Sequence, residues 1–419
     1  MRLLKILLII MLLFLPFGEI LRFGLGNDVY FKPLDATAIL LAVWVAILYM
    51  RNKSWRASLK WYYFFFPVVG LLSLVINTFW LQPKETLVAF LYLIRWIGYM
   101  SIFFGLIQLD DKFKSKIQQL MIVDGIVVLL IGYLQFFLYP SLRNLFYQGW
   151  DEHLYRLFSS FLDPNFAGTF LVLYFIFLLG LLFQNIQNRH SGKSNLQYRD
   201  PGQARMTLIR VCHFSLIAIT LIAIFLTYSR SAFLMLVVSG ITFFSLLQKR
   251  RFIFILIGLL ALFVLIISPY FYIENLNLFR VRSSMARLAT DQHALLVIRD
   301  HPVVGVGFDA YRYAQEKYHF QKEPSKFPDH ADAGVDMSLL FVIATTGIVG
   351  LAAYCYLWFT LLKASRQKQM GKQNMQGIVV FSSSIGLFVN ALFINSLFFP
   401  AIMMWMWLEF SFLKKGEED

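Results

Sequence analysis

The chain has 419 residues, of which 58% are hydrophobic and 15% charged. Soluble proteins carry about 25% charged residues, so this composition excludes a soluble globular protein. The formal net charge of +14 would suggest nucleic acid as a partner if the basic residues formed one patch, but they stand in short clusters between apolar runs. The two cysteines, Cys212 and Cys355, exclude a disulfide framework or a zinc cluster.

Apolar stretches long enough to cross a bilayer recur along the whole chain. Each has the length of about 17 to 25 residues that a membrane-spanning helix needs, and we predict an all-α polytopic protein of about 12 transmembrane helices. The predicted spans are 4–22, 34–50, 61–80, 86–109, 118–139, 164–184, 207–228, 231–248, 252–270, 336–362, 376–396 and 397–413. The first span follows Met1-Arg2 without a small-residue cleavage site, so we expect a retained helix rather than a signal peptide.

The basic clusters predict the orientation of these spans. They fall in every second connection, and the positive-inside rule then places both chain termini in the cytoplasm. The basic connections lie around 51–60, 112–116, 189–210, 249–251 and 363–372. Two long segments, about 140–163 and about 271–335, are predicted to be extracytoplasmic.

Two polar motifs stand at the predicted extracytoplasmic ends of spans. YRLFSSFLDPNFAG contains Arg156 and an Asp-Pro-Asn turn of residues that favour a helix start. The motif is either a helix cap or part of a polar pocket. The second motif is Ser229-Arg230-Ser231. The positive-inside rule disfavours an arginine at this end, so Arg230 indicates a cavity or a binding partner.

The segment 271–335 carries further basic residues, namely Arg280, Arg282, Arg287, Arg299 and His301. The string HPVVGVGFDAY follows, in which Gly305 and Gly307 permit positive backbone angles or a close backbone approach. Arginine side chains present forked donors that suit diphosphate oxygens.

An acidic cluster precedes the tenth span in PDHADAGVDMSLLF. It comprises Asp329, His330, Asp332 and Asp336. One hypothesis is a divalent metal site made of three carboxylates and an imidazole. The favoured hypothesis is that one of these groups is a general base, which requires only hydrogen-bond reach of an acceptor hydroxyl. The third is a purely structural role as a polar cap on the tenth helix.

One basic residue lies inside a predicted span. Arg95 stands in the middle of the fourth span, in LYLIRWIGY. It either pairs with a buried acid or reaches an anionic lipid headgroup.

Together these motifs resemble the O-antigen ligase and polymerase family of bacterial envelope glycosyltransferases. The resemblance rests on the SR pair, on the external segment ending in HPVVGVGFDAY and on a helix running into ATTGIVGL. It is strongest over about 155–355. It implies a GT-C-like polytopic fold that transfers glycans from an undecaprenyl-diphosphate carrier outside the cytoplasm, without metal or other cofactor. Family arginines that hold the diphosphate match Arg230 and Arg287.

The chain departs from the family at the catalytic histidine, which normally begins an HN pair eleven residues before the first glycine of the helix motif. Counting back from Gly347 gives Asp336, followed by Met337. Either Asp336 replaces the histidine as the base, or His330 reaches the same point.

The residues support this chemistry without the family name. Arginines at the membrane surface would stabilise the negative charge that the diphosphate gains as it leaves, with Arg156, Arg280 and Arg282 as secondary contacts. The acceptor hydroxyl would lose its proton to His330 or Asp336, and a single displacement inverts the anomeric configuration. A ligase and a polymerase differ only in the acceptor. A ligase transfers the glycan to another glycan or to a lipid anchor, whereas a polymerase transfers it to a second lipid-linked repeat.

Two other classes of protein compete with this prediction. A lipid-linked oligosaccharide flippase or another transporter would place polar residues near mid-membrane on several helices. A receptor or scaffold would use the basic segment to bind a partner. We predict an enzyme of the bacterial inner membrane with N-terminal helices in 1–154, a ligase-like core in 155–362 and a C-terminal hairpin and tail in 363–419.

Overall fold

The structure, a computed structural model, describes residues 1–24, 30–190, 202–270, 281–320, 334–370 and 374–413. The α-helices of these residues are α1 (Arg2–Phe14), α2 (Pro33–Arg51), α3 (Lys53–Ser58), α4 (Phe65–Ile76), α5 (Pro83–Leu106), α6 (Asp111–Leu138), α7 (Pro164–His190), α8 (Gly202–Leu226), α9 (Arg230–Leu246), α10 (Arg250–Ile267), α11 (Val281–Asp300), α12 (Tyr311–Lys317), α13 (Ser338–Met370), α14 (Met375–Asn390) and α15 (Pro400–Ser411). One short antiparallel pair joins β1 (Phe23–Gly24) to β2 (Tyr30–Phe31).

Seven helical segments of the described residues are long and apolar enough to cross a membrane. They are Pro33–Arg51, Trp61–Phe79, Pro83–Leu106, Asp111–Leu138, Pro164–Gln187, Arg250–Tyr270 and Ser338–Gln369. Shorter apolar helices lie at Val211–Leu226, Arg230–Leu246 and Met375–Asn390. The prediction of an all-α polytopic membrane protein is confirmed, whereas twelve crossings and a GT-C architecture stay predictions.

Contacts between helix ends define two opposite faces of the bundle. On one face, near the N-terminus, the Lys5 ammonium group lies 3.2 Å from the Asp110 carboxylate before α6. On the other face, the backbone N–H of Ser338 at the start of α13 donates to the Ala391 carbonyl after α14 at 2.9 Å. We call the first the terminal face and the second the site face, because α7, α9 and α13 begin there.

The short helix α15 lies at the centre of the bundle. All twelve of its residues are buried, as expected for a helix in which apolar residues predominate on every side. The Trp405 ring packs against the rings of Phe170 and Phe177 on α7, with centroids 5.0 and 5.5 Å apart. The helix α10 is the opposite case, because its apolar side chains are mostly exposed and are available to lipid.

The longest helix, α13, is broken at Gly347, which has φ 65° and ψ −170°. A break inside a membrane protein leaves backbone groups that need other partners. The segment after α11 supplies them: the N–H of Val306 donates to the Ala344 carbonyl at 3.1 Å, and the N–H of Ile348 donates to the Pro302 carbonyl at 2.9 Å. Residues 302–307, which follow α11, are therefore inserted into the broken helix.

Two polar side chains, one in α4 and one directly after it, hold this inserted segment. The Ser73 hydroxyl donates to the Val304 carbonyl at 2.7 Å, and the Asn77 amide donates to the Gly305 carbonyl at 3.1 Å. Gly305 and Gly307 have φ of 65° and 109°. This confirms that both glycines permit positive backbone angles, and the close approach that Gly305 makes is to the backbone of α13.

Candidate active site

The helices α7 and α9 begin side by side on the site face. The Ser229 side chain is the N-cap of α9 and accepts from the Ala232 N–H. The same hydroxyl donates to Asn165 Oδ1 in the first turn of α7, at 2.9 Å. Asn165 in turn donates its backbone N–H to the Asp163 carboxylate at 2.5 Å. These contacts place Arg230 in the first turn of α9, directly beside the Asp-Pro-Asn turn.

Arg156 is buried at this junction, with 4% of its surface exposed. Its Nε donates to the Thr227 carbonyl at 2.9 Å, and its Nη2 lies 3.5 Å from Asn165 Oδ1. Its own carbonyl accepts from the Gln135 side chain of α6 at 3.2 Å. The guanidinium group therefore ties the segment before α7 to the end of α8, and a direct contact with substrate stays a prediction.

The backbone around this junction is strained. Positive φ values occur at Tyr155 (58°), Ser159 (51°), Leu162 (56°) and Tyr228 (48°). Each such conformation costs a non-glycine residue about 1–3 kcal/mol, and such residues concentrate at active sites and switch regions. The strain supports a functional rather than a purely capping role for this part of the site face.

Three of the predicted site residues come together beside the junction. The charges of Arg230 on α9 and Arg287 on α11 repel each other. Arg287 also interacts with the carboxyl group of Asp336, which precedes α13. These three residues come from separate parts of the chain. The fold thus brings Arg230 and Asp336 close enough to Arg287 for both to interact with its charge.

The surroundings of Asp336 change its acidity. Burial is the largest effect and raises the pKa of this carboxyl group, Arg287 opposes the increase, and the negative charges of Asp291 and Asp163 add to it. A base whose pKa is raised towards the working pH accepts a proton more effectively in a transition state. The position of Asp336 therefore suits a general base.

Asp291 on α11 belongs to this group, although the sequence analysis did not single it out. Burial raises the pKa of its carboxyl group while Arg287 lowers it. Its Oδ1 atom is buried without a hydrogen-bond partner among the described residues. The sequence could have indicated this, because Asp291 lies four residues after Arg287 in RLATDQHALL and so shares its helix face. The buried Tyr311 also interacts with Asp291, but no sequence pattern placed it at the site.

Several predicted site residues lie outside the described part of the chain. They are Arg280, Asp329, His330 and Asp332, together with the side chain of Arg282 on α11. In the ranges that the structure describes, no three histidine, cysteine or acidic side chains are grouped to hold a metal ion. The choice between His330 and Asp336 as the base stays open, as does the metal hypothesis that needs Asp329, His330 and Asp332.

The sequence left open whether Arg95 pairs with a buried acid or reaches a lipid headgroup. Its neighbours on α2 and α5 decide between the two. Its Nη1 lies 3.8 Å from Asp35 Oδ2. The Tyr99 hydroxyl donates to the other oxygen of Asp35 at 2.5 Å, and the guanidinium group lies 4.4 Å from the centre of the Tyr92 ring. Arg95 therefore pairs with a largely buried acid.

The fold and the site define an all-α polytopic membrane protein with a strained, charged site at one face of the bundle. Residues 215–355 match the model of the family described as O-antigen ligase. This region contains Arg230, Arg287, Asp336 and the break at Gly347, and the match confirms the family resemblance that its motifs predicted. The family comprises membrane glycosyltransferases of the ligase and polymerase type that act in polysaccharide biosynthesis. No curated protein matches the chain.

Proposed function

We propose that the protein transfers a glycan from an undecaprenyl-diphosphate carrier to an acceptor hydroxyl at the extracytoplasmic face of a bacterial inner membrane. The observation that carries this proposal is the convergence of Arg230, Arg287 and Asp336 at the site face. Residues 155–362 form the catalytic core in this proposal, and the helices before and after them complete the membrane scaffold.

The two arginines suit a diphosphate. Their like charges repel each other in the free protein, and a multivalent anion between Arg230 and Arg287 would turn this repulsion into attraction. Guanidinium groups also match phosphate oxygens with paired hydrogen bonds. As the bond from the sugar to the diphosphate breaks, the charge on the leaving group grows, and fixed arginines stabilise the transition state more than the bound donor. Arg280 and Arg282 are proposed as secondary contacts, and Arg156 as a residue that positions the junction.

The reaction is a single displacement in this proposal. The acceptor oxygen attacks the anomeric carbon, the carrier diphosphate leaves with the bonding electron pair, and the acceptor proton passes to Asp336 or to His330. Attack opposite the leaving group inverts the anomeric configuration. The arginines supply the charge neutralisation that a metal ion would otherwise provide, so we propose a metal-independent reaction.

The test uses the full-length protein in vesicles with a lipid-linked glycan donor and a suitable acceptor. Arg230→Ala, Arg287→Ala and Asp336→Asn are compared with the wild type for transfer of labelled glycan. We expect both arginine variants to lose most activity and the inverted linkage to appear in the wild-type product. Full transfer by both arginine variants would remove the basis of the proposal.

The acceptor separates a ligase from a polymerase. Purified protein is given one lipid-linked repeat unit and no other acceptor. A polymerase yields a ladder of longer lipid-linked products, whereas a ligase leaves the donor unchanged until its own acceptor is added.

A further inference from the structure

A carboxyl group in the centre of the membrane bundle is not used by the proposed mechanism. Glu409 on α15 has 1% of its surface exposed. Its Oε1 accepts from the Trp405 indole at 2.9 Å, and the Ser383 hydroxyl is a second hydrogen-bonding neighbour of this carboxyl group. The ion pairs found among those residues involve other groups. An ionised carboxylate in such surroundings is costly, so burial favours the neutral, protonated form.

A cavity leads from Glu409 towards the terminal face. Its polar lining consists of Glu409, Gln118, Gln184 and Gln376, surrounded by apolar side chains. Gln118 lies near the beginning of α6 and Gln376 in the first turn of α14, so both mark the terminal face. The cavity has room for about one water molecule, and its amides supply the polar partners that a buried water needs.

On the other side of Glu409, a row of small polar side chains follows α14 towards the site face. Ser382, Ser383 and Asn390 are fully buried, and Ser383 lies beside Glu409. Ser239 of α9 packs against Gly386, where a Cβ atom would overlap its hydroxyl. Because Ser382, Gly386 and Asn390 are four residues apart, they lie on one face of the helix.

Three polar atoms of this row have no hydrogen-bond partner among the described residues. They are Ser382 Oγ, Ser239 Oγ and Asn390 Nδ2. Leaving such a group unsatisfied costs about 1–3 kcal/mol. Successive turns of a helix are about 5.4 Å apart, a gap that one water molecule bridges with two hydrogen bonds.

The row ends at the candidate active site. Asn390 Oδ1 accepts from the Thr169 hydroxyl at 3.1 Å, and this hydroxyl also lies 2.8 Å from the Asn165 carbonyl. Asn165 is the residue that holds Ser229 and contacts Arg156. Polar groups therefore extend from the cavity at Glu409 to the junction beside Arg230.

We propose that Glu409 is a membrane-embedded proton-binding site. A proton from water at the terminal face, which we propose is cytoplasmic, passes through the glutamine-lined cavity and converts the carboxylate to the carboxyl form. The row of polar side chains on α14 then couples this protonation to the junction of α7 and α9. Cytoplasmic pH thereby adjusts glycan transfer on the opposite side of the membrane.

Few other titratable groups face this site. The described residues of α14 carry none, and Glu409 is the one on α15. The helix α7 presents Tyr174, whose hydroxyl donates to the Ile122 carbonyl at 2.9 Å. The helix α6 presents Asp124 and the buried Lys114, whose ammonium group lies 3.9 Å from the Asp111 carboxylate. On α5, Arg95 and Tyr99 are held by Asp35. Asp124 is therefore the acid that an experiment must distinguish from Glu409.

The first test does not depend on glycan transfer. The full-length protein in vesicles is treated with dicyclohexylcarbodiimide, an apolar reagent that modifies protonated carboxyl groups, and the labelled peptide is identified by mass spectrometry. We expect label on Glu409 at neutral pH, less label as the pH rises, and its loss in Glu409→Gln but not in Asp124→Asn. An unlabelled Glu409 in the folded wild type would overturn the proposal, because proton exchange requires an accessible carboxyl group.

The second test rests on the proposed function. Transfer is measured in oriented vesicles while the pH at the terminal face changes and the pH at the site face stays constant. The wild-type rate should change by up to about tenfold per pH unit, the limit for one titrating group, and Glu409→Gln should abolish this response. Ser382→Ala should weaken it, whereas Ser384→Ala should not, because the Ser384 hydroxyl already donates to the Val380 carbonyl at 2.7 Å.

The two tests distinguish a failure of the proton-site proposal from a failure of the proposed enzymatic function. A Glu409→Gln protein that still responds to pH at the terminal face like the wild type overturns the coupling. A complete lack of transfer with normal labelling of Glu409 overturns the proposed enzymatic function and leaves the proton site established.

Discussion

Arg287 on α11 lowers the pKa of Asp336 against the larger effect of burial, although the two residues belong to different segments of the chain. The same arginine faces the like charge of Arg230. Arg287 thus interacts both with Arg230, its partner in the proposed phosphate site, and with the proposed base. Its loss should disturb donor binding and proton transfer together.

The first prediction concerns this arginine. Arg287→Ala should reduce the rate of glycan transfer by about 10²-fold or more, the effect of removing one fixed donor from a developing anion. Arg287→Lys should recover part of this rate, since a lysine keeps the positive charge but not the paired hydrogen-bond donors of a guanidinium group. The measurement is the initial rate with saturating donor. Arg299→Ala, an exposed position on the same helix, should leave the rate unchanged, and an equal loss there would point to a general effect on α11.

The second prediction concerns the pH dependence of transfer. A base must be deprotonated, so activity should be low below the pKa of Asp336 and rise as the pH increases through it. The Asp291 charge raises this pKa, and Asp291→Asn should therefore move the acidic limb of the profile to lower pH. The control is Asp300→Asn at the exposed end of α11. A shift of the Asp291→Asn profile to higher pH would contradict the assignment of Asp336.

A third prediction tests whether Asp336 stands in the place of the family histidine. Asp336→Asn should abolish transfer, whereas Asp336→His should retain part of it, with an acidic limb near the ordinary histidine pKa of about 6.5. If Asp336→Asn retains transfer while His330→Ala is inactive, the base is His330 instead. The pH profile of Asp336→His is the deciding measurement.

The fourth prediction concerns the broken helix. A Cβ atom at Gly347 would overlap the Val303 carbonyl, and the positive φ adds strain. Gly347→Ala should therefore lower the stability by about 2 kcal/mol or more, measured as the thermal unfolding temperature in detergent. Gly258→Ala on α10 is the matched control, because nothing lies within 4 Å of a Cβ atom there. An unchanged unfolding temperature for Gly347→Ala would mean that residues 302–307 are not inserted into α13 as described.

The fifth prediction concerns the ion pair of Arg95 and Asp35, whose side chains are 19% and 16% exposed. Removing one partner leaves a mostly buried charge, so Arg95→Gln and Asp35→Asn should each cost about 3–5 kcal/mol. The double variant should cost clearly less than the sum of the two. Strictly additive losses in thermal unfolding would show that the two groups do not interact.

Much of the membrane architecture and part of the site could be predicted from residues alone. Seven of the predicted spans coincide with long apolar helices of the structure. Hydropathy is a local property that is read from consecutive residues, which is why it locates helices without any knowledge of packing. The same holds for Arg230, whose charge at the predicted outer end of a span is unusual wherever the helices pack.

Contacts between distant segments required the tertiary structure. The sequence indicated that Gly305 and Gly307 permit unusual backbone angles, but only the fold showed that this segment fills the break in α13. Arg156 was predicted at a polar pocket, and the fold showed it buried against Thr227. The pKa of Asp336 also could not be predicted from the sequence, because it depends on burial and on charges supplied by other helices. The sequence determined which groups are available and on which side of the membrane they should lie, whereas packing decided which of them meet.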